Sequence, residues 1–225
     1  MSDLNNFLFG IYPYIAFAVF IIGSWVRYDR EPYTWKADSS QLLDQKGFRL
    51  ASNLFHIGII FILAGHFVGL LTPHAVYEHF ISTADKQLLA MVSGGFFGIL
   101  CFIGLVMLIK RRLTNPRVRA VSKTSDIVIL FLLLAQLILG LLTIVASTSH
   151  LDGSVMVMLA NWAQNIVIFH GFEAAKAIEP VSLIYKLHVF LGLTLFVVFP
   201  FTRLVHIISV PVKYFARNYQ LVRQR

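Results

Sequence analysis

The sequence predicts an all-α integral membrane protein with five transmembrane helices, its N-terminus outside and its C-terminus in the cytoplasm. Three observations carry this: composition, a series of long charge-free windows, and the uneven spread of Lys and Arg. Of 225 residues, 57% are hydrophobic and 13% charged, with a mean hydropathy of +0.74, whereas a soluble domain carries about 25% charged residues. Twenty Phe are a hazard on a water-facing surface but ordinary against acyl chains. The single Cys101 excludes a disulfide framework or a thiolate set for an iron–sulfur cluster, and reads as packing. Residues 1–6 lack a basic n-region, and no small-x-small cleavage site precedes Arg27, so the N-terminus is expected to be retained.

A helix needs about 20 apolar residues to cross a hydrocarbon core of roughly 30 Å. Four windows meet this at about 4–26, 50–71, 87–109 and 127–146, each closed by charge or by a turn such as Thr72-Pro73. A fifth, at about 181–210, contains Lys186 and Arg203, each near enough to an end to snorkel, and Pro211 closes it.

Cytoplasmic loops collect Lys and Arg. Segment 27–49 carries Arg27, Arg30, Lys36, Lys46 and Arg49; segment 110–126 carries six basic residues; the tail carries Lys213, Arg217, Arg223 and Arg225. Residues 1–6 carry none, the 72–86 connection only Lys86, and the 147–180 connection only Lys176. The net charge of +8 is this topology signal rather than a nucleic-acid footprint. A further charge-free window, 153–172, would reverse the tail if it crossed. It also carries Asn161, Gln164, Asn165 and His170 opposite a stripe of Val155, Leu159, Trp162, Ile166 and Phe169. That pattern predicts an amphipathic helix at the outer interface, about 154–170.

Of eight histidines, four fall inside spans: His56 and His66 in the second, His188 and His206 in the fifth. The two spans are antiparallel. At about 1.5 Å per residue, His56 and His206 both lie roughly 6–9 Å from the cytoplasmic ends. His66 lies about 24 Å up and His188 about 33 Å up, a mismatch that a bend near Pro200 would reduce. Eighteen residues return His188 and His206 to one face, while ten leave His56 and His66 about 80° apart. Opposed imidazoles are the axial ligands of a six-coordinate b haem that transfers electrons without an open site. Two haems between the second and fifth helices would form a wire across the membrane. The ten- and eighteen-residue gaps keep the pairs too far apart to share one copper or zinc ion. Gly58, Gly65, Gly69 and Gly192 either admit a flat macrocycle or serve close helix packing. Tyr28, Arg111, Arg112 and Arg203 either neutralise haem propionates or anchor the interface. The short loops hold no catalytic domain, so such a wire must hand its electrons to a partner. The basic inner face suits docking, although lipid head groups compete for it.

The stretches IYPYIAFAVFIIGSWVRYD at 11–29, ASNLFHIG at 51–58, GHFVGLLTPH at 65–74, DGS at 152–154, KLHVFLG at 186–192 and FPFTRLVHIISVPVKY at 199–214 carry a resemblance that covers the whole chain. It resembles the gamma, cytochrome b, subunit of membrane-bound respiratory nitrate reductase. The resemblance implies His56 and His206 on a haem near the cytoplasmic subunits, and His66 and His188 on a haem near the outer face. It implies quinol oxidation beside the outer haem with Lys86 binding the quinol, a role otherwise indistinguishable from an interfacial anchor. It further implies a place in the bacterial cytoplasmic membrane, a cytoplasmic molybdenum-containing subunit that reduces nitrate, and an iron–sulfur subunit. The rival electron-transfer reading is the quinone-reducing b subunit of a formate dehydrogenase or hydrogenase. A haem-free anchor or transporter is a rival of another class.

Overall fold

The computed structural model describes residues 3–36 and 39–209 and is helical, with no strand among them. Five of its helices are long and apolar enough to cross a membrane: α1 (Asp3–Arg30), α2 (Phe48–Leu71), α3 (Thr83–Thr114), α4 (Thr124–Ser147) and a fifth that runs Leu183–Phe201. Between the fourth and fifth lie α5 (Ser154–Val167) and α6 (Gly171–Ile178). The regular part of the fifth is α7 (Leu183–Val198). The spans pack in the order α2 on α3, α3 on α4, α4 on α7, and α7 back on α1, so the last span sits beside the first.

The boundaries have local causes. Helix α2 starts after Gly47, whose φ of 69° is a left-handed turn, and stops at Thr72 before Pro73. Ser82 caps α3 by accepting from the Asp85 amide, and its hydroxyl donates to the Asp85 carboxylate. The α3 helix continues about a turn past the apolar window, so Lys110, Arg111 and Arg112 extend from its end.

Helix α5 has 14 residues, about 21 Å at 1.5 Å each, short of a bilayer core. It does not continue to 170. Phe169, with φ of 63°, turns the chain into α6, which the sequence pattern alone did not separate. The apolar stripe of α5 enters a core with Phe9, Ala16, Ala174, Ile178, Tyr185 and Leu193. Its polar side is not idle: the Gln164 amide donates to Leu70 O (3.0 Å) and Thr72 O (3.4 Å), the carbonyls that end α2. Gln87 does the same for the end of α4, donating to Ser147 O at 3.4 Å and, in the turn beyond it, to His150 O at 2.6 Å.

One contact at this end follows directly from a proline. Pro13 has no N–H for the carbonyl four residues back, Phe9 O, and the chain over Phe7–Ile11 relaxes into a π-turn. Trp162 Nε1 donates to that carbonyl at 3.0 Å, in a buried setting.

The other end of the bundle is basic. Arg111 donates to Ser40 Oγ (2.8 Å), Ser40 O (2.9 Å) and Asp44 O (2.6 Å), pinning the loop before α2. Arg112 is buried and pairs with buried Asp126 at 3.2 Å, with Ser122 Oγ at 2.8 Å.

Candidate functional site

Helices α2 and α3 are in backbone contact. A Cβ on Gly58 would sit 2.6–2.7 Å from Cys101 Cβ, Cys101 N and Phe97 O. A Cβ on Gly104 would meet Phe55 N, and Ala51 O at 2.7 Å. Phe61 stacks on Phe97 at 4.2 Å. The expectation that Gly58 serves either packing or a cofactor therefore resolves to packing, and Cys101 packs there too. At Gly65 and Gly69 the opposite holds: an added Cβ would meet nothing within 4 Å. Only 6% of the apolar window of α2 is buried, because the face turned from α3 is open. Gly192 is intermediate, with Gln136 Nε2 3.2 Å from its would-be Cβ.

From that open face project His56 and His66, and each meets one histidine of the fifth span. The ring centroids of His56 and His206 are 6.3 Å apart, and those of His66 and His188 are 5.9 Å apart. A metal–imidazole bond of about 2.0–2.1 Å, plus about 1.2 Å from nitrogen to ring centre, separates two trans ligands by about 6.4 Å. Both pairs fall within about half an ångström of that spacing. Among the described residues no three His, Cys, Asp or Glu side chains converge on a single metal position, so the donor set is two separate pairs.

Three of the four rings are held by a backbone carbonyl three or four residues back. His56 Nδ1 lies 2.7 Å from Ser52 O, His66 Nδ1 2.8 Å from Ile62 O, and His206 Nδ1 2.6 Å from Arg203 O. A carbonyl only accepts, so Nδ1 carries the hydrogen and Nε2 presents its lone pair, the arrangement an axial ligand requires. His188 differs: its Nδ1 is buried without a partner, and its Nε2 faces the Gln136 amide at 3.5 Å. Two pairs at ligand spacing, with the tautomer fixed at three of the four rings and open space beside Gly65 and Gly69 at the outer level, are a donor set that would suit a haem between each pair. No sequence signal marked the three backbone anchors, because a main-chain carbonyl has no residue type to read.

The remaining expected residues are distributed as follows. Lys86 lies in the first turn of α3, at the α5 end, with Nζ 3.6 Å from the Tyr77 ring centre. That nitrogen is buried and has no hydrogen-bond acceptor. Tyr77 OH reaches Thr83 Oγ1 at 3.3 Å. At the basic end, Tyr28 is largely exposed and meets the Trp35 ring edge-on at 5.5 Å. Arg112 is tied through Nη1 to Asp126 and Ser122, and Arg111 to the loop, while the Arg203 carbonyl anchors His206. The three arginines lie near enough to act on one another electrostatically, and of these four residues Arg203 is the one bonded to a histidine of the pairs, through its carbonyl. Val210 to Arg225, including Pro211 and the basic tail, lie outside the described residues. Arg27, which the sequence offers only as one more loop cation, bonds Pro200 O and Thr202 O just ahead of His206.

A profile of the nitrate reductase gamma subunit matches residues 5–225. The chain is 58% identical to the respiratory nitrate reductase 1 gamma chain of Escherichia coli strain K12 over the whole of both. It is 53% identical to the respiratory nitrate reductase 2 gamma chain of the same strain, over 99% of this chain and 98% of that one. It is 37% identical to the nitrate reductase gamma chain of Bacillus subtilis strain 168, over 98% and 99%.

Proposed function

The chain belongs to the nitrate reductase gamma subunit family, and on that premise we propose that it is the membrane-anchoring di-haem b subunit that oxidises quinol for nitrate reduction. The observation that carries this reading is the meeting of His56 with His206 and of His66 with His188 at ligand spacing. His56 and His206 hold the inner haem, and His66 and His188 the outer one. Bound there, haem b would supply one-electron transfer at two heights, and the two histidine pairs would be the residues that hold it. The bonds from Nδ1 to Ser52 O, Ile62 O and Arg203 O hold the rings in register and strengthen Nε2 as a donor.

The basic end, where Arg111 pins the loop before α2 and Arg112 pairs with Asp126, faces the cytoplasm by the charge rule. Lys86 then sits at the outer end, in the same third of the bundle as His66. Its buried, acceptor-free ammonium donates to a quinol oxygen that arrives laterally from the bilayer. The two protons of quinol leave outside while its electrons move inward, so turnover is electrogenic. Tyr28, exposed at the basic end, would meet a carboxylate of the inner haem, and Arg112 would do so only through the guanidinium nitrogens that Asp126 and Ser122 leave unused. The electrons pass to an iron–sulfur subunit and a molybdenum-containing subunit docked on the basic face, and nitrate is reduced there rather than in this chain. The chain is a multi-pass protein of the bacterial cytoplasmic membrane. The nitrate reductase names of its relatives support this over the b subunit of a formate dehydrogenase or hydrogenase.

The test is the haem content and reduced-minus-oxidised spectrum of four variants. His56→Ala and His206→Ala each lose the inner haem, and His66→Ala and His188→Ala the outer. Unchanged haem in all four removes the ligand assignment, and a wild-type protein with no haem spectrum restores the haem-free anchor. Proton appearance on the cytoplasmic side of oriented vesicles removes the outer quinol site.

A further inference from the structure

Along α2, His56 and His66 are ten residues apart, about 15 Å of helix, whereas eighteen residues between His188 and His206 would make about 27 Å in a straight helix. Both pairs close nonetheless, so the fifth span must leave its axis between the two ligands. It does so at Pro200. The α-helix ends at Val198, Phe199–Phe201 winds as a 3-10 turn, Thr202 is extended, and Arg203–Ile208 is again 3-10 and carries His206.

Such a break strips carbonyls of their helical partners, and unpaired backbone groups away from water are costly. Arg27, on α1, supplies the donors. Its Nη1 bonds Pro200 O at 2.6 Å and Thr202 O at 2.8 Å. Its Nε and Nη2 bond Thr34 Oγ1 at 3.3 Å and Thr34 O at 3.1 Å. Gly23, one turn earlier on the same face, lets α1 close on the proline: a Cβ there would be 2.9 Å from Pro200 Cγ. Thr202 Oγ1 then accepts from the Leu204 amide at 3.3 Å, and buried Leu204 and Val205 seat the turn in the core. From the first helix, Arg27 thus grips the bend on which the position of His206 depends. A planar fork of five donors matches two divergent carbonyls and a loop residue at once, which an ammonium does not.

We infer that Arg27 is the positioning residue of the inner haem site, acting through the Pro200–Thr202 turn on His206 and joining the 31–36 loop to it. This rests on the di-haem reading above. The experiment uses the full chain with its partner subunits and compares Arg27→Ala, Arg27→Lys and His206→Ala. The readouts are haem stoichiometry, the low-spin electron paramagnetic resonance line of each haem, its midpoint potential, and loss of haem to an apomyoglobin scavenger. In Arg27→Ala the inner haem should be lost to the scavenger about 10–100-fold more readily, the scale typical of a lost supporting partner. Its resonance line and potential should shift while those of the outer haem stay. Arg27→Lys, which keeps the charge but not the fork, should fall between. If His206→Ala loses one haem while Arg27→Ala leaves both haems with unchanged lines, potentials and retention, the positioning role fails and the di-haem reading stands. If His206→Ala keeps both haems, the ligand assignment fails and takes this inference with it. Equal disturbance of both haems in Arg27→Ala and Arg27→Lys also overturns it, since Arg27 is then a general brace of the bundle.

Discussion

Gly58→Ala is the sharpest probe of how the bundle sets the histidines. The added methyl would sit 2.6–2.7 Å from Cys101 Cβ, Cys101 N and Phe97 O, where apolar atoms settle at about 3.5–4.0 Å. Two of the three obstacles are backbone, which cannot rotate away, so α2 must back off α3 by about 1 Å. Overpacking of this kind costs about 1–3 kcal/mol, and at roughly 2–4 °C per kcal/mol for a chain of this size the melting midpoint in detergent should fall by about 2–12 °C. The functional effect should be larger than the stability effect. His56 lies two residues from Gly58, and metal-ligand distances hold within about 0.2 Å, so a shift of about 1 Å breaks the inner pair first. The assay is thermal unfolding together with haem per polypeptide and the reduced-minus-oxidised spectrum. Gly94→Ala is the comparison, because a Cβ there makes only ordinary contact, 3.7 Å from Ile144 Cδ1, and should not lower the melting midpoint. A Gly58→Ala protein with the wild-type midpoint and both haems would refute the argument that backbone contact between α2 and α3 places His56.

Other outcomes follow from single contacts. Trp162→Phe removes the donor to Phe9 O and should destabilise by about 1–3 kcal/mol, the cost of a buried unpaired carbonyl; Pro13→Ala, which restores an N–H to that carbonyl, should recover part of it, measured as a non-additive double-mutant cycle. Lys86→Ala should keep both haems yet slow their reduction by quinol, while a water-soluble reductant feeding the cytoplasmic partner still supports nitrate reduction; reduction by quinol at the normal rate would end the role of Lys86. A reporter fused at Arg225 should read cytoplasmic, and an external reading would invert the proposed topology.

Span number came from the sequence because it depends on solvent: charge-free runs of about twenty residues have one stable place. The same logic made 153–172 look like a lying helix rather than a sixth span, since Gln164 and its neighbours needed polar partners. The four histidines were legible because an ionisable group inside a span is costly and rarely accidental. What the sequence could not separate were groups of identical type in different surroundings. Gly58 packs against Cys101 and Phe97, whereas Gly65 and Gly69 look into open space. Arg112 lies in a buried ion pair, Arg111 pins a loop, and Arg27 grips the Pro200 turn. Each is one more glycine or one more interfacial cation in the sequence. The separate helix α6 was likewise hidden: at the turn Phe169 stacks on Tyr14 and Gly171 packs against Gly10 of the first helix, contacts between segments far apart in the chain. Hydrophobicity is a sum over residues and can be read in one dimension, but close approach and hydrogen-bond partnership are set by segments far apart in the chain, and only the packed bundle decides them.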